Sequence, residues 1–345
     1  MPSLPAIQQG GTGAPNSLRS REKGRVKQFA VGVDLGGTNL RIAAVDAAGA
    51  LLEKVLLPKR AQQSRESVIR EMCLAIQALT AKLGGTGLLA GIGVGVPGIL
   101  YLETGTLRQS PNLPGWENFP VRQEIETLLG TRVWLDNDAN VAALGEAWLG
   151  AGRGTSSLCM LTLGTGVGGG LVLDGKIWHG FLGFAGELGH MVVAEHGVRC
   201  PCGGQGCLET ESSATAIVRK AREALAAGRS PGLAKAAENG VEVTSELVYQ
   251  TAQAGDAACR AIFESAGRYL GIALASLVNA LNLPLYVVGG GAADAWDLFA
   301  PAMFEELRRR SYIFCEGSTR IEKSLLQGDA GLYGAARLAF QGDAG

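Results

Sequence analysis

The chain of 345 residues is 47% hydrophobic and 18% charged, a composition typical of about two globular domains. Its formal net charge of −1 argues against nucleic acid as an obligatory partner, because phosphate binding requires a basic face. There is no run of about eighteen apolar residues, and the seven cysteines follow no secretory leader, so we expect a cytoplasmic protein without a membrane partner.

The first part of the chain predicts a β-β-β-α beginning. Residues 1–28 are polar, contain Pro, Gly and Ser, and end in basic residues, which predicts a disordered tail. Apolar alternation at 29–33 and 40–45 predicts two strands joined by a glycine turn, and LLEKVLL predicts a third. A helical pattern follows at 67–83. LLAGIGVGVPGIL then predicts a buried strand, and TRVWLDNDAN predicts a strand followed by a helix over about 139–149.

The second part of the chain repeats this plan. Strand residues 157–163 enter a glycine-rich turn and return at 170–173, which indicates an internal duplication of the first hairpin. Helical patterns cover 214–227, 243–254 and 256–281, LPLYVVGGGAA predicts another buried strand, and a last helix is predicted at 331–340. This alternation predicts an α/β fold of two lobes, a small one formed by 29–136 with 329–345 and a large one formed by 137–328.

Two glycine turns, DLGGTN and LGTGVGGG, are candidates for binding phosphate. Each offers several backbone N–H groups without an obstructing side chain, together with a threonine hydroxyl. Either motif alone is more typical of a tight hairpin, but their repetition favours a nucleotide held between the lobes. The candidate residues are Asp34, Gly36, Gly37, Thr38, Asn39, Gly164, Thr165 and Gly166. Asp34 is also a candidate ligand, through water, of the Mg²⁺ that accompanies ATP.

A third glycine cluster, Gly289, Gly290 and Gly291, follows a predicted strand and precedes a helix. It lacks the spacing of the dinucleotide-binding fingerprint. We therefore interpret it as a place where an adenine or a ribose approaches the backbone.

The segment LDNDAN places Asp136, Asn137 and Asp138 where a strand gives way to a helix. One interpretation is a helix N-cap, since Asn and Asp satisfy the free N–H groups there. The alternative is that one carboxylate, most plausibly Asp138, takes the proton from an attacking hydroxyl, a role that phosphoryl transfer requires.

Three cysteines and a histidine gather around one glycine-rich loop over 190–207. His190, Cys200, Cys202 and Cys207 match the four tetrahedral ligands of a structural zinc ion, with a redox switch as the alternative. Glu187 of GELGH and Glu209 flank this loop without neighbouring cations, and carboxylates of this kind suit sugar hydroxyls. A solvated turn is the alternative for Glu187. His179 and His196 are interpreted as surface or loop residues, and no role is assigned to them.

Together these motifs resemble the ROK family of sugar kinases, repressors and related proteins. DLGGTNLR, DNDAN, LGTGVGGG, GELGH, CPCGGQGCLE and VVGGG occur in order between residues 29 and 338. The resemblance implies an actin/hexokinase-like (ribonuclease H-like) ATPase fold whose lobes close on ATP and a hexose, and it implies a homodimer. Within the family, the pattern is most similar to bacterial members that phosphorylate the 6-hydroxyl of glucose.

The resemblance also implies roles for individual residues. Asp138 is the implied catalytic base toward the sugar 6-hydroxyl. The implied sugar contacts are Asn112 of PNLPGW, Asn137, Asp138, Glu187, His190 and Glu209. The cysteine loop matches the zinc ligands of the family, and the two glycine turns match its phosphate-binding turns. Glu211 departs from the pattern, since an aromatic residue often stands two positions after Glu209.

Other functions share these motifs. N-acetylmannosamine, N-acetylglucosamine, fructose and allose are alternative substrates, and polyphosphate is an alternative donor, although no basic track favours it. A sugar-sensing transcriptional regulator is a different class of function. Regulators of the family carry a helix-turn-helix domain ahead of the kinase-like body, whereas only 28 residues precede the first predicted strand here, so we expect an enzyme.

Overall fold

The computed structural model describes residues 28–37, 39–58 and 63–342. The predicted tail therefore lies outside the described residues apart from Gln28, and so do Thr38 and residues 343–345.

Strands and helices alternate along the described chain. The first part contains β1 (Phe29–Leu35), β2 (Asn39–Asp46), β3 (Leu51–Pro58), α1 (Arg65–Lys82), β4 (Leu89–Val96), β5 (Ile99–Tyr101), β6 (Thr106–Gln109), α2 (Val121–Leu129), β7 (Val133–Asn137) and α3 (Asp138–Leu149). The second part contains β8 (Leu158–Leu163), β9 (Val167–Leu173), β10 (Lys176–Ile177), α4 (Leu208–Ser212), α5 (Ala214–Ala226), α6 (Pro231–Glu238), α7 (Ser245–Gln253), α8 (Ala257–Leu281), β11 (Leu285–Gly289), α9 (Trp296–Arg310), β12 (Arg320–Lys323) and α10 (Ala330–Gln341).

The two five-stranded sheets share one strand order. The first sheet is ordered β3-β2-β1-β4-β7 and the second β10-β9-β8-β11-β12. In each sheet an antiparallel meander of three strands leads into two strands that run parallel to its central strand. The predicted duplication of the glycine hairpin is therefore a duplication of the whole sheet.

Most predicted elements are present with shifted ends. Helix α7 begins at Ser245 rather than at 243, because the Thr244 hydroxyl accepts a hydrogen bond from Leu247 N (3.1 Å) and caps the helix. The patterns did not predict β5, β6, α2, α6, α9 or β12. Pro301 inside α9 obscures its helical pattern, because proline is unfavourable in a helix interior.

Helix α8 is the central core helix of the second part of the chain. By length and composition it could cross a membrane, with a hydropathy of 1.3 over its most apolar window. In this structure 61% of that window is buried. Phe263, Leu270 and Leu274 of α8 belong to one core with Val288 of β11, and burial of this kind requires an apolar helix.

Helices α3 and α10 cross in direct backbone contact between the two sheets. Helix α3 leads from β7 to β8, whereas α10 follows β12 and packs on β1 and β4. A Cβ atom at Gly334 would lie 1.5 Å from the Val141 carbonyl oxygen, and one at Gly145 would lie 2.1 Å from that of Ala330. Only glycine fits at either position, so the crossing depends on both glycines.

The Glu146 carboxylate joins the two connections between the sheets. It is fully buried, and it accepts hydrogen bonds from Ala151 N (2.8 Å), which follows α3, and from Ser324 Oγ (2.5 Å), which follows β12. Leu326 N (2.8 Å) is a further donor. One side chain of α3 therefore fixes the path of the chain into α10.

Candidate active site

Asp138 is the first residue of α3, directly after the end of β7. The preceding Asn137 caps the helix, since its Oδ1 accepts hydrogen bonds from Ala139 N (2.9 Å) and Asn140 N (3.4 Å). The N-cap interpretation of this segment thus holds for Asn137, and Asp138 Oδ1 also accepts a hydrogen bond from Ala139 N (2.9 Å). Removal from water raises the pKa of Asp138 to about 6, with further increases from the negative charges of Asp34 and Glu187.

Asp136 fixes this turn through hydrogen bonds to its carboxylate. Its buried carboxylate accepts hydrogen bonds from Asn137 N (2.8 Å) and Asn140 Nδ2 (2.9 Å) through Oδ1. Its Oδ2 lies 2.6 Å from Nε2 of His179. His179 lies in a loop, as expected, but its ring is not free on the surface, because it contacts a buried carboxylate at the base of the site.

The first glycine turn connects β1 to β2. Gly36 N donates to Asn39 O (3.0 Å), which closes the turn, and a Cβ atom at Gly37 would lie 3.5 Å from that of Asn112. The structure thus brings Asn112 beside the predicted phosphate-binding turn. Thr38 is outside the described residues.

Asp34 is buried at the end of β1, and Arg41 Nη2 lies 3.2 Å from its Oδ2. Burial raises the pKa of Asp34, the Arg41 charge opposes that increase, and Asp329 adds to it. Arg41 also donates to the Gly328 carbonyl oxygen. The sequence analysis did not identify Arg41. It lies directly opposite Asp34 in the β1–β2 hairpin, and the position of the glycine turn between these strands could have indicated this pairing.

The second glycine turn connects β8 to β9 and packs against α5. Gly164 N donates to Gly166 O (2.9 Å), and Thr215 Oγ1 donates to Thr165 O (2.7 Å). The third glycine cluster lies beside this turn, since a Cβ atom at Gly290 would be 2.4 Å from the Leu163 carbonyl oxygen. The second and third predicted nucleotide-binding segments are therefore adjacent, at the ends of the neighbouring strands β8 and β11.

Glu209 lies in α4 and contacts the second turn. Its Oε2 accepts a hydrogen bond from Val167 N (2.9 Å), and a Cβ atom at Gly166 would lie 2.2 Å from the same oxygen. Glu187 is the residue before a short turn that contains His190, and its carboxylate lies 3.8 Å from His190 Nε2. Burial raises the pKa of Glu187, His190 opposes that increase, and the charge of Glu209 adds to it.

The predicted metal ligands form one compact cluster. The ligand atoms of His190, Cys200, Cys202 and Cys207 all lie within 4.8 Å of one another. Cys200 Sγ is 3.7 Å from His190 Nδ1, and Cys202 Sγ is 3.7 Å from Cys207 Sγ. A tetrahedral zinc ion with bonds of about 2.3 Å to sulfur would place two sulfur ligands about 3.8 Å apart.

Further contacts of this loop suit a bound metal. Glu187 faces the other ring nitrogen of His190, the usual arrangement around a metal-bound histidine. Gly204 N donates to Cys202 Sγ (3.4 Å), a contact that favours a thiolate. All seven cysteines are free thiols in this structure, and the four ligand atoms of the loop lie close enough together to hold one metal ion.

Glu211 is directed away from Glu209. It is buried in α4, and its Oε2 lies 2.8 Å from Nζ of Lys220 in α5. Lys220 also donates to the Glu211 carbonyl oxygen (3.0 Å). Glu209 and Glu211 are two residues apart and so lie on nearly opposite sides of the helix. The departure from the family pattern at Glu211 therefore forms an internal ion pair.

The Asp138 carboxylate at the start of α3 is electrostatically coupled to Asp34, which precedes the first glycine turn, and to Glu187 in the second part of the chain. The two sheets have the same strand order and are joined by crossing helices. This fold, together with the site, defines an actin/hexokinase-like phosphotransferase. The chain belongs to the ROK family, whose family model matches residues 30–342.

Known proteins similar to this chain include glucokinases and, at lower identity, a xylose repressor of Caldicellulosiruptor bescii, 32% identical over 90% of this chain and 77% of that protein. The chain is 37% identical to a glucokinase of Halalkalibacterium halodurans over 90% of this chain and 94% of that protein. It is 36% identical to a glucokinase of Thermotoga maritima, over 89% of this chain and 96% of that protein. Its structure is similar to that of a ROK family glucokinase from Streptomyces griseus in complex with glucose and AMPPNP, with a TM-score of 0.76 and 32% identity over 91% of this chain and 100% of that one.

Proposed function

We propose that this protein is an ATP-dependent glucokinase that transfers the γ-phosphoryl group of ATP to the 6-hydroxyl of glucose. The observation that carries the proposal is the position of Asp138, at the start of α3 and electrostatically coupled to both Asp34 and Glu187. A carboxylate with a pKa of about 6 is ionised at neutral pH and is a stronger base than an ordinary aspartate.

In this reaction the sugar O6 attacks the γ-phosphorus as the bond from phosphorus to the ADP oxygen breaks. Asp138 accepts the proton that O6 loses. Asn112, Asn137, Glu187, His190 and Glu209 supply acceptors and donors for the remaining sugar hydroxyls. Orientation of the two substrates is the main contribution that phosphoryl transfer requires of the protein.

The nucleotide is assigned to the glycine segments. We assign the phosphates to the turn of Gly36, Gly37, Thr38 and Asn39 in the first sheet and to the turn of Gly164, Thr165 and Gly166 in the second. The N–H groups of Gly36 and Gly164 close these turns, so the donors to phosphate would be the other N–H groups and the threonine hydroxyls. The adjacent segment of Gly289, Gly290 and Gly291 borders the adenosine. Mg²⁺ bound with ATP neutralises phosphate charge, and Asp34 would hold it through water.

Zinc is the metal we assign to His190, Cys200, Cys202 and Cys207. Four protein ligands leave no open coordination position, so the ion would be structural and would hold the loop that carries His190 and Glu209. We further propose a cytoplasmic homodimer with a small lobe of 29–136 and 329–345 and a large lobe of 137–328.

The decisive experiment is a coupled assay of ADP release with MgATP over a panel of hexoses and N-acetylhexosamines. We expect glucose to give the highest kcat/KM and the product to be the 6-phosphate. A higher value for fructose, allose, N-acetylmannosamine or N-acetylglucosamine would contradict the assignment to glucose. Turnover with polyphosphate in place of ATP at equal or greater kcat/KM would contradict ATP as the donor.

A further inference from the structure

A histidine and a buried aspartate join the two sheets beside the site. His179 lies two residues after the end of β10, a short strand of the second sheet. Asp136 belongs to β7 of the first sheet. Nε2 of His179 lies 2.6 Å from Oδ2 of Asp136. The aspartate side chain is 2% exposed and the imidazole 32% exposed, so solvent ions screen this contact less than a surface pair.

The same carboxylate is tied to the turn that carries Asp138. Oδ1 of Asp136 accepts hydrogen bonds from Asn137 N (2.8 Å) and Asn140 Nδ2 (2.9 Å). Asn137 in turn caps α3 through Ala139 N (2.9 Å). A displacement of the Asp136 carboxylate would therefore move the first turn of α3, which contains Asp138.

On the other side, His179 begins the loop that ends at Glu187. The His179 carbonyl oxygen accepts a hydrogen bond from Ala185 N (3.0 Å), which closes the loop on itself. Phe181 at its tip is 100% exposed, whereas Phe184 contacts Tyr101 of β5 at a ring-centroid distance of 5.7 Å. The ring of His179 therefore ties the first residue of this loop to the first sheet.

The contact favours the protonated form of the imidazole. Burial alone would lower the pKa of His179, but the hydrogen bond to Asp136 and the Asp136 charge outweigh it, and the pKa is raised. A protonated imidazole that donates to a carboxylate forms a charge-assisted hydrogen bond, which is about twice as strong as a neutral one.

We propose that His179 is a positioning residue for phosphoryl transfer, which fixes the loop ending at Glu187 relative to Asp138 through its contact with Asp136. The inference rests on the proposed function, because Glu187 and Asp138 are there assigned to the sugar. Loss of the contact should impair the use of sugar, whereas the glycine turns that are assigned to the nucleotide lie on other loops and should be spared.

The test compares His179→Ala, His179→Gln, Asp136→Asn and the double variant His179→Ala/Asp136→Asn in the ADP-release assay. Glutamine retains an N–H donor of similar reach, so it reports on the hydrogen bond rather than on the ring. Phe181→Ser is the matched control, since it alters an exposed side chain of the same loop. Unfolding temperatures of all variants separate lost stability from lost positioning.

We expect His179→Ala to lower kcat/KM for glucose by about ten- to a hundredfold while KM for MgATP changes by less than about twofold, because small misplacements of reacting groups are costly. His179→Gln should recover most of the loss, and Phe181→Ser should behave as the wild type. The double variant should be no worse than the worse single variant, since both remove one interaction.

Three results would overturn the proposal. The first is unchanged kcat/KM for glucose in His179→Ala, the second is additive losses in the double variant, and the third is a glutamine variant as impaired as the alanine one. An inactive wild type would refute the proposed function itself, and the inference with it, whereas an active wild type isolates the question of His179.

A second measurement applies if His179→Ala does not fold. The chain has three histidines, so the ring signals of His179 can be assigned by NMR from their absence in His179→Gln. Asp136→Asn should lower the pKa of His179 and lower kcat/KM for glucose together. A shift of the pKa without a change in sugar use would refute the positioning role.

Discussion

Glu209 Oε2 accepts a hydrogen bond from Val167 N at 2.9 Å, and it occupies the space where a side chain at Gly166 would begin. A residue assigned to the sugar is thus attached to a turn assigned to the nucleotide. This contact makes the two glycines of the turn unequal, since a Cβ atom at Gly164 would meet nothing within 4 Å.

Alanine at Gly166 should therefore impair the sugar side of the reaction. The new Cβ atom would displace the Glu209 carboxylate, so we expect KM for glucose to rise by about tenfold or more. Gly164→Ala is the matched variant, which should keep wild-type stability and instead raise KM for ATP, because its Cβ atom would obstruct the phosphates. Steady-state kinetics with each substrate varied in turn distinguish the two. Equal effects of both variants on glucose would contradict this account.

Replacement of Asp138 should abolish most of the turnover. In Asp138→Asn we expect kcat to fall by about 10²–10⁴-fold, the usual contribution of a general base, while glucose binding measured by calorimetry is retained. Near-normal turnover would remove Asp138 from the base role.

The raised pKa of Asp138 also predicts a pH dependence. Because the base must be ionised, kcat/KM of the wild type should be half-maximal near pH 6, fall at lower pH and level off only above about pH 7. A pH-rate profile that shows no acid limb between about pH 5 and 7 would disagree with the assignment.

The same shift has an opposite consequence for stability. The pKa is higher in the folded state than in the unfolded state, so this group favours folding below about pH 4, and that contribution is lost as the pH rises through about 6. At pH 7.5 Asp138→Asn should therefore be more stable than the wild type by no more than about 3 kcal/mol. Denaturant unfolding at pH 7.5 and pH 4 measures the difference, which should vanish at the lower pH.

Loss of the predicted zinc ligand Cys202 should release the metal. Elemental analysis should find one zinc per chain in the wild type and none in Cys202→Ser, with a lower unfolding temperature and weaker glucose binding in the variant. Cys315→Ser is the control, because Cys315 is an exposed thiol outside the cluster. A wild type that is fully active without metal would contradict the role of the loop.

Truncation of Glu146 should destabilise the whole protein. Glu146→Ala leaves the buried donors Ala151 N, Leu326 N and Ser324 Oγ without an acceptor, so we expect a loss of about 3–5 kcal/mol in the free energy of unfolding. Ser324→Ala removes only one donor and should cost about 1 kcal/mol. Urea unfolding of both variants tests the order, and equal losses would contradict it.

The parts of the fold that were predictable are those with local signals. The glycine turns after β1 and β8 each separate two predicted strands, and together they predicted the duplication of the hairpin, which the structure extends to the whole sheet. Strand β12 was missed because it has four residues, of which only Ile321 is buried, so no alternation marks it. Helix α9 was missed because Pro301 interrupts its pattern.

The residues of the candidate site likewise fall into those that could be predicted from the sequence and those that could not. The residues at turns and caps, such as Asp138 and Asn137, were predictable because strand ends and helix starts have recognisable chemistry. The partner of His179 was not, because it lies 43 residues away in the other sheet and no spacing rule connects them. The burial of Glu211 against Lys220 likewise depends on the packing of α4 against α5.

The backbone contact at Gly145 and Gly334 is a point about which helices α3 and α10 can rotate. The two helices touch without intervening side chains. Because protein interiors are close-packed, rotation about the point of contact is easier than separation or sliding of the helices. If one sheet rotated relative to the other, the loops far from the helix crossing would move furthest and the atoms beside the crossing would hardly move. Asp138 begins one of these two helices, so the proposed proton acceptor would move less than the outer loops.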